Sequence, residues 1–171
     1  MKLSRRILGI KPSATLAVDA KAKELRGQGK NVISFGSGEP DFVSPPAVFE
    51  YAKEAMKRGE THYTPTPGIA MLREEISAYY KKRFGLDYSP VQVVVGSGAK
   101  PMIFEALAAI VDPGDEVIVL SPTWVSYIEQ IQLVDGKVVV VPTQDTDFVP
   151  QIERIEKAIT DKTVAILLNS P

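Results

Sequence analysis

The stretch VVVGSGAKP, residues 93–101, does most to indicate how this chain folds. Its apolar first half is typical of a buried β-strand, its glycines indicate a turn, and a helical pattern follows at once. Such an arrangement points backbone N–H groups and a helix N-terminus at one spot, which favours an anion such as phosphate. Lys100 adds a positive charge there, and Pro101 suits the first helical turn, where a missing N–H has no consequence.

This loop does not match the common nucleotide-binding motifs. A dinucleotide fingerprint that starts at Gly96 needs a glycine at position 101, where this chain has proline. A P-loop needs four residues between its two glycines, then Lys and Ser or Thr. We therefore predict a phosphate site of another kind, and the alternative is a simple tight turn.

The segments around the loop predict a mainly parallel sheet. Short runs rich in Val, Ile and Leu alternate with helical patterns from residue 91 to residue 168. Such alternation is typical of an α/β fold whose central sheet is covered by helices on both faces. The predicted strands are residues 32–35, 91–95, 116–120, 137–141 and 163–168, and the predicted helices are residues 13–28, 46–58, 68–84, 101–111, 124–133 and 152–159.

The first part of the chain differs from the rest. Residues 1–12 are predicted to be an arm, and Ser13 can cap the helix that follows. We assign residues 1–45 to this arm and a segment of a smaller domain, and residues 46–171 to the first part of a large domain. The last predicted strand should lead to another element of the sheet, so we expect a longer protein in which the large domain continues.

Composition argues against several classes of function. The net charge of −1 gives no basic field that would recruit nucleic acid or an anionic membrane. The chain has no cysteine and a single histidine, His62, which argues against a metal site and a Ser-His triad. No apolar run is as long as a membrane span, and no signal-peptide region follows the basic N-terminus. We expect a cytoplasmic protein without a metal.

Ligands of open parallel sheets bind beyond the C-terminal ends of the strands. Residues 36–42, 96–100 and 121–127 follow predicted strands and are therefore candidate site segments. Trp124 follows a Ser-Pro-Thr strand exit, where a flat ring can face a ligand, although it can equally be a core aromatic. Tyr63 precedes two prolines and can simply pack on the surface.

Taken together, short motifs along the chain resemble those of class I pyridoxal-phosphate-dependent aminotransferases, and most of all the bacterial aspartate aminotransferases. The motifs occur in order across essentially the whole chain, and this ordered set is far more specific than any one of them. They are PSAT (12–15), SGEPDF (37–42), YTPTPG (63–68), GSGAK (96–100), DPGDEV (112–117), SPTWVSY (121–127) and NSP (169–171).

The resemblance implies that the cofactor is pyridoxal 5′-phosphate. The backbone of Gly98 and Ala99, together with Lys100, would match the positions that hold its phosphate. Tyr63 would match the tyrosine that reaches the phosphate of the neighbouring subunit. That match implies a homodimer with shared active sites.

The resemblance also implies how substrates bind. Trp124 would stack on the pyridine ring and contact the substrate carboxylate, and the main chain of Gly38 would contact the substrate α-carboxylate. Residues 13–15 would belong to an arm segment that moves over the substrate. The implied reaction moves an amino group between an L-amino acid, with aspartate as first choice, and 2-oxoglutarate. Aromatic amino acids, alanine and prephenate stay open as substrates.

The family needs further residues that these motifs do not supply. They are the lysine that forms the Schiff base, an aspartate at the pyridine nitrogen, an asparagine and a tyrosine at the ring oxygen, and an arginine for the α-carboxylate; all are expected beyond Pro171. We therefore predict that the intact protein is an enzyme and that the 171 residues alone are inactive. Two alternatives stay open: a pyridoxal-phosphate-dependent lyase or synthase of the same fold, and a truncated, non-catalytic fragment.

Overall fold

The computed structural model of the chain describes residues 2–10, 12–36, 38 and 40–170. The motif residues Ser37, Glu39 and Pro171 lie outside the described part. The described helices are α1 (Arg5–Gly9), α2 (Ala14–Gly27), α3 (Pro46–Lys57), α4 (Ala70–Phe84), α5 (Ala99–Ile110), α6 (Val125–Leu133) and α7 (Ile152–Ala158), and the described strands are β1 (Glu116–Ser121), β2 (Lys137–Pro142) and β3 (Thr163–Leu167).

The chain forms two compact units. The first unit comprises residues 1–37 and 103–171, and the second comprises residues 38–102. The domain boundary that the sequence suggests near residue 45 stays a prediction.

A parallel sheet with the strand order β2-β1-β3 forms the centre of the first unit. Strand β2 lies on one side of β1 and β3 on the other, so the connections β1–β2 and β2–β3 cross the sheet in opposite directions. Right-handed crossovers therefore place α6 and α7 on opposite faces of the sheet. The predicted α/β class with a parallel sheet is confirmed.

The core of the first unit lies between one face of the sheet and two helices. Val117 and Val119 of β1 pack against Leu107 of α5, against Val111 just after α5 and against Ile131 of α6. Each of these side chains is buried. Burial of one such side chain contributes about 1.5–3 kcal/mol to the stability of the fold. This cluster therefore holds the sheet against its helices.

An aromatic cluster stabilises the end of α4 in the second unit. The ring of Tyr80 lies 5.5 Å from that of Phe84 and 6.0 Å from that of Tyr88. Tyr79 contacts Tyr80 edge-on at 6.0 Å. The sequence-based expectation that Tyr79 and Tyr80 pack on a helix face is confirmed, although both rings remain partly exposed.

Two of the predicted strands are wrong. Residues 32–35 have no strand, and Pro90–Gln92 is a short 3₁₀ helix that runs into irregular backbone at residues 93–95. The reason is that no neighbouring strand pairs with these backbone groups. Arg73 Nε donates to Val93 O at 2.9 Å, and Val95 N donates to Pro67 O at 3.0 Å.

The predicted arm also contains a helix that the sequence did not predict. Helix α1 begins after Ser4, whose Oγ accepts a hydrogen bond of 3.3 Å from the N–H of Ile7. Ser13 caps α2 as predicted, and its Oγ accepts from Leu16 N at 3.4 Å. Serine hydroxyls at these positions satisfy helix N–H groups that lack a carbonyl one turn earlier.

Candidate functional site

The predicted phosphate loop is a tight turn that ends at the start of α5. Gly98 has a φ of 93°, which favours glycine, and its N–H donates to Gly96 O at 2.9 Å. The helix begins at Ala99, followed by Lys100. Their N–H groups have no acceptor within the helix because the first turn has no preceding turn. The helix dipole adds positive potential at the same place, and an anion there is stabilised.

Gly96 lies close to the side chain of Met102 in α5. A Cβ added at Gly96 would lie 2.5 Å from both Sδ and Cε of Met102 and 2.9 Å from its Cγ. This contact fixes how the loop enters the helix. The sequence predicted glycines here for the turn, and the structure adds a packing reason for the first of them.

A second close contact joins this loop to the segment that carries Tyr63. A Cβ added at Gly68 would lie 2.9 Å from Val95 Cβ, and Val95 N donates to Pro67 O at 3.0 Å. The motif at residues 63–68 and the loop at 96–100 are therefore neighbours within the second unit. Tyr63 itself is fully exposed, and its ring is open to contact from another molecule.

Trp124 lies in the first unit, at the residue that precedes α6. Its indole ring meets the Tyr127 ring at a centroid distance of 5.3 Å and an interplanar angle of 88°. The residue is 36% exposed, so the side chain is not a sealed core aromatic and part of it faces outward.

The turn before Trp124 is fixed by hydrogen bonds from the end of β2. The N–H and the Oγ1 of Thr143 both donate to Ser121 O, each at 3.0 Å. Gln144 Nε2 donates to Ser121 Oγ at 3.4 Å. The sequence analysis missed Thr143 and Gln144. The signal that could have found them is their place just past a strand parallel to β1, because parallel strands end at the same edge of a sheet.

Gly38 is exposed, and no heavy atom lies within 4 Å of a Cβ added there. It belongs to the second unit together with Tyr63 and residues 96–100, whereas Trp124 belongs to the first. The structure thus brings the tyrosine segment and the phosphate loop together.

Two carboxylates of the first unit have lowered pKa values. Hydrogen bonds from Lys137 and then from Thr160 lower the pKa of Glu116, which is only 6% exposed, at the start of β1. A hydrogen bond from the Arg154 guanidinium lowers the pKa of Asp145. Both carboxylates are therefore engaged in hydrogen bonds that join neighbouring segments of the first unit.

Other kinds of site find no support in the described part of the chain. No group of three or more His, Asp or Glu residues there could hold a metal ion. No helix among the described residues is long and apolar enough to cross a bilayer.

Comparison with known proteins decides the family. The sequence profile described as "Aminotransferase class I and II" matches residues 30–171. The chain belongs to this family.

Relatives within the aminotransferases are close in sequence and in structure. The chain is 48% identical over 170 residues to the aspartate/prephenate aminotransferase of Thermus thermophilus and 43% identical over 172 residues to the aspartate aminotransferase of Bacillus subtilis. A solved aspartate aminotransferase from Thermus thermophilus with maleate superposes with a TM-score of 0.95 at 47% identity, covering 100% of this chain and 45% of that one. That of Thermotoga maritima gives a TM-score of 0.91 at 49% identity, covering 99% and 45%.

The chain spans less than half the length of these aminotransferases. The alignments cover 99–100% of this chain but 44% of the Thermus thermophilus and Bacillus subtilis enzymes. The resemblance to this family predicted from the motifs is confirmed, as is its N-terminal placement within the relatives.

Class I aminotransferases use pyridoxal 5′-phosphate, and the residues of this chain fit that cofactor. The start of α5 offers N–H groups, a helix dipole and the Lys100 ammonium to a phosphate. Trp124 offers a partly exposed flat ring to a pyridine. The start of α5, in the second unit, and Trp124, in the first, each offer chemistry that suits one part of the cofactor.

Proposed function

We propose that the intact protein transfers an amino group between L-aspartate and 2-oxoglutarate with pyridoxal 5′-phosphate as cofactor. The observation that carries the proposal is the glycine turn at residues 96–98 that opens directly into α5. The names of the relatives support aspartate as the first substrate, and the Thermus thermophilus enzyme adds prephenate as an acceptor to test.

In this proposal, the phosphate is bound at the start of α5. The N–H groups of Ala99 and Lys100 donate to it, and the Lys100 ammonium supplies opposite charge. Gly98 acts through its main chain: its N–H donates to Gly96 O, and its positive φ permits the tight turn into α5. When bound, pyridoxal 5′-phosphate supplies an electron sink that makes the α-proton of the amino acid acidic.

The remaining site residues orient the ring and the substrate. Trp124 stacks on the pyridine ring and contacts the substrate carboxylate, and the main chain of Gly38 contacts the α-carboxylate. Holding the reacting groups in one geometry removes much of the entropic barrier to the reaction. The exposed ring of Tyr63 reaches the phosphate bound by a second copy of the chain, which makes the active protein a homodimer.

The proposal places the Schiff-base lysine outside residues 1–171, which the family alignment matches to less than half of the relatives' length. The intact protein is then active and cytoplasmic, and the 171 residues alone catalyse no transfer.

A substrate screen tests the proposal. The intact protein is incubated with pyridoxal 5′-phosphate, 2-oxoglutarate and each amino acid in turn, and glutamate and the new 2-oxo acid are measured. Aspartate should yield oxaloacetate and glutamate in equal amounts. Release of ammonia or an elimination product without glutamate would indicate a lyase of the same fold. No amino transfer from any amino acid would refute the proposal.

A further inference from the structure

Thr143 makes an unusual double contact with the end of β1. Its N–H and its Oγ1 both donate to Ser121 O at 3.0 Å. The N–H bond continues the parallel ladder, in which Ser121 pairs with Pro142. The hydroxyl bond is an additional one, and it occupies the second lone pair of the same carbonyl. Thr143 is 4% exposed, so water does not compete for this hydroxyl.

Thr143 is itself held firmly by the loop that follows it. Its carbonyl accepts from Thr146 N at 3.1 Å and from Phe148 N at 2.9 Å, while the Thr146 hydroxyl lies 3.0 Å from the same carbonyl and 2.7 Å from Val149 O. The loop is tied to α7 because Arg154 donates to both carboxylate oxygens of Asp145, at 2.7 and 2.8 Å. Such paired bonds fix orientation as well as distance. Thr143 is therefore a rigid anchor for whatever it contacts.

Thr143 contacts Ser121, which lies shortly before Trp124 in the sequence. Ser121 is the last residue of β1, and only residues 122 and 123 separate it from Trp124, which precedes α6. Tyr127 N donates to Trp124 O at 3.1 Å, and the two rings meet edge-to-face. The segment that leaves Ser121 thus reaches Trp124 within three residues and ends where the indole ring contacts Tyr127.

We propose that Thr143 is a positioning residue for Trp124, and that its hydroxyl fixes the indole plane against which the cofactor ring stacks. The consequence for the cofactor rests on the proposed function, whereas the effect on Trp124 does not. A displaced ring loses contact with the pyridine face, because stacking and catalysis both depend on placement to within about 1 Å.

The rival explanation is that Thr143 only fills space at the end of β2. Two substitutions separate the explanations. Thr143→Val keeps the branched shape and removes the hydroxyl, and Thr143→Ser keeps a hydroxyl and removes the methyl group. If the hydroxyl positions the turn, Val disturbs Trp124 and Ser does not.

Thr160→Val is the matched control. Thr160 Oγ1 donates a hydrogen bond of 2.7 Å to Glu116 at the opposite end of the same sheet. This variant also loses a hydroxyl that donates to a carbonyl or carboxylate oxygen, together with the bond that this hydroxyl accepts from Lys162 N at 3.1 Å, but it leaves the turn at residues 121–124 intact. Any change common to both variants therefore reports general loss of stability.

The experiment labels the intact protein with 5-fluorotryptophan and follows the ¹⁹F resonance of Trp124, identified by its absence in Trp124→Phe. Shift and line width are recorded without cofactor, and the dissociation constant of pyridoxal 5′-phosphate is measured in parallel. We expect Thr143→Val to shift or broaden the Trp124 resonance and to weaken cofactor binding about three- to tenfold, the effect of one lost hydrogen bond. Thr143→Ser and Thr160→Val should match the unmodified protein in both measurements.

An unchanged Trp124 resonance in Thr143→Val would overturn the inference, whatever the cofactor does. A resonance that moves in Thr143→Ser but not in Thr143→Val would also overturn it, because packing would then be the cause. If the unmodified protein binds no pyridoxal 5′-phosphate, the proposed function fails, but a resonance that moves only in Thr143→Val still supports the positioning role.

Discussion

Lys137 and Glu116, the first residues of two adjacent parallel strands, are joined by a hydrogen bond of 2.7 Å between Nζ and Oε1. The other carboxylate oxygen of Glu116 accepts from Thr160 Oγ1 at 2.7 Å. The Glu116 side chain is 8% exposed and that of Lys137 is 67% exposed. These bonds join the starts of β1 and β2 to the chain just before β3, at the end of the sheet opposite to Ser121.

This relationship predicts a pH dependence of stability. The pKa of Glu116 lies below its ordinary value of 4.5 because Lys137 and Thr160 donate to the charged form. A lowered folded-state pKa means that the ionised carboxylate stabilises the fold above the unfolded-state pKa, and that this contribution disappears as the pH falls through the folded-state pKa. The free energy of unfolding in urea should therefore fall more between about pH 5 and about pH 3 in the unmodified protein than in Glu116→Gln. An equal fall in both proteins would contradict the assignment.

Gly68 provides a test of the contact between the tyrosine segment and the phosphate loop. Gly68→Ala should lower the free energy of unfolding by about 2–4 kcal/mol, because φ is +101° and the added Cβ would meet Val95 Cβ at 2.9 Å. Gly59→Ala is the control: φ is +78° and no heavy atom lies within 4 Å of the added Cβ. It should cost only the backbone term of about 1–2 kcal/mol. Equal losses in urea unfolding would mean that the contact with Val95 is not tight.

Thr123, in the turn before Trp124, offers a test in which removal of a hydroxyl should not lower stability. Its Oγ1 is buried and has no hydrogen-bond partner among the described residues. Thr123→Val should leave the free energy of unfolding unchanged or raise it by up to about 1 kcal/mol, because an unpaired buried hydroxyl is unfavourable. Thr143→Val should instead lower it by about 1 kcal/mol, since it loses a bonded hydroxyl. A loss of stability in Thr123→Val as large as that in Thr143→Val would show that Thr123 has an unseen partner.

The proposed homodimer with shared active sites predicts recovery of activity when two weakened variants are mixed. Tyr63→Phe and Lys100→Ala each damage both sites of a homodimer. In a mixed dimer, one site combines the intact Lys100 of one subunit with the intact Tyr63 of the other. Activity after subunit exchange should therefore exceed the average of the two parent dimers. Activity equal to that average in a mixture shown by native mass spectrometry to contain mixed dimers would place Tyr63 in its own subunit's site.

The sequence could predict the sheet of the first unit, but not the backbone at residues 91–95. The apolar runs in β1, β2 and β3 coincide with real strands because each finds a parallel neighbour. The valines at residues 93–95 carry the same local signal, but no strand is paired with them in the described chain. A run of valines therefore predicts strand preference without revealing a partner.

The sequence also predicts part of the candidate site: it reveals the glycine loop but not Thr143. Glycines mark the loop at residues 96–98 because Gly98 has a positive φ and a side chain at Gly96 would require Met102 to move. The sequence gives no comparable signal for Thr143. A single threonine after a strand belongs to no repeating pattern and does not require an unusual backbone conformation. Its role depends on which strand lies next to β1, and that is a property of the three-dimensional structure alone.

The proposed binding site of the cofactor phosphate is the loop that opens into α5. The most direct test compares the dissociation constants of pyridoxal 5′-phosphate and of pyridoxal, which lacks the phosphate, in the intact protein and in Lys100→Ala. Lys53→Ala is the control, since Lys53 lies on α3 and pairs with Glu50 at 3.8 Å. We expect Lys100→Ala to weaken binding of pyridoxal 5′-phosphate by about 1–3 kcal/mol, the range for a lost charged hydrogen bond, and to leave pyridoxal binding unchanged. Lys53→Ala should bind both ligands as the unmodified protein does. Equal loss for both ligands, or no loss for pyridoxal 5′-phosphate, would contradict it.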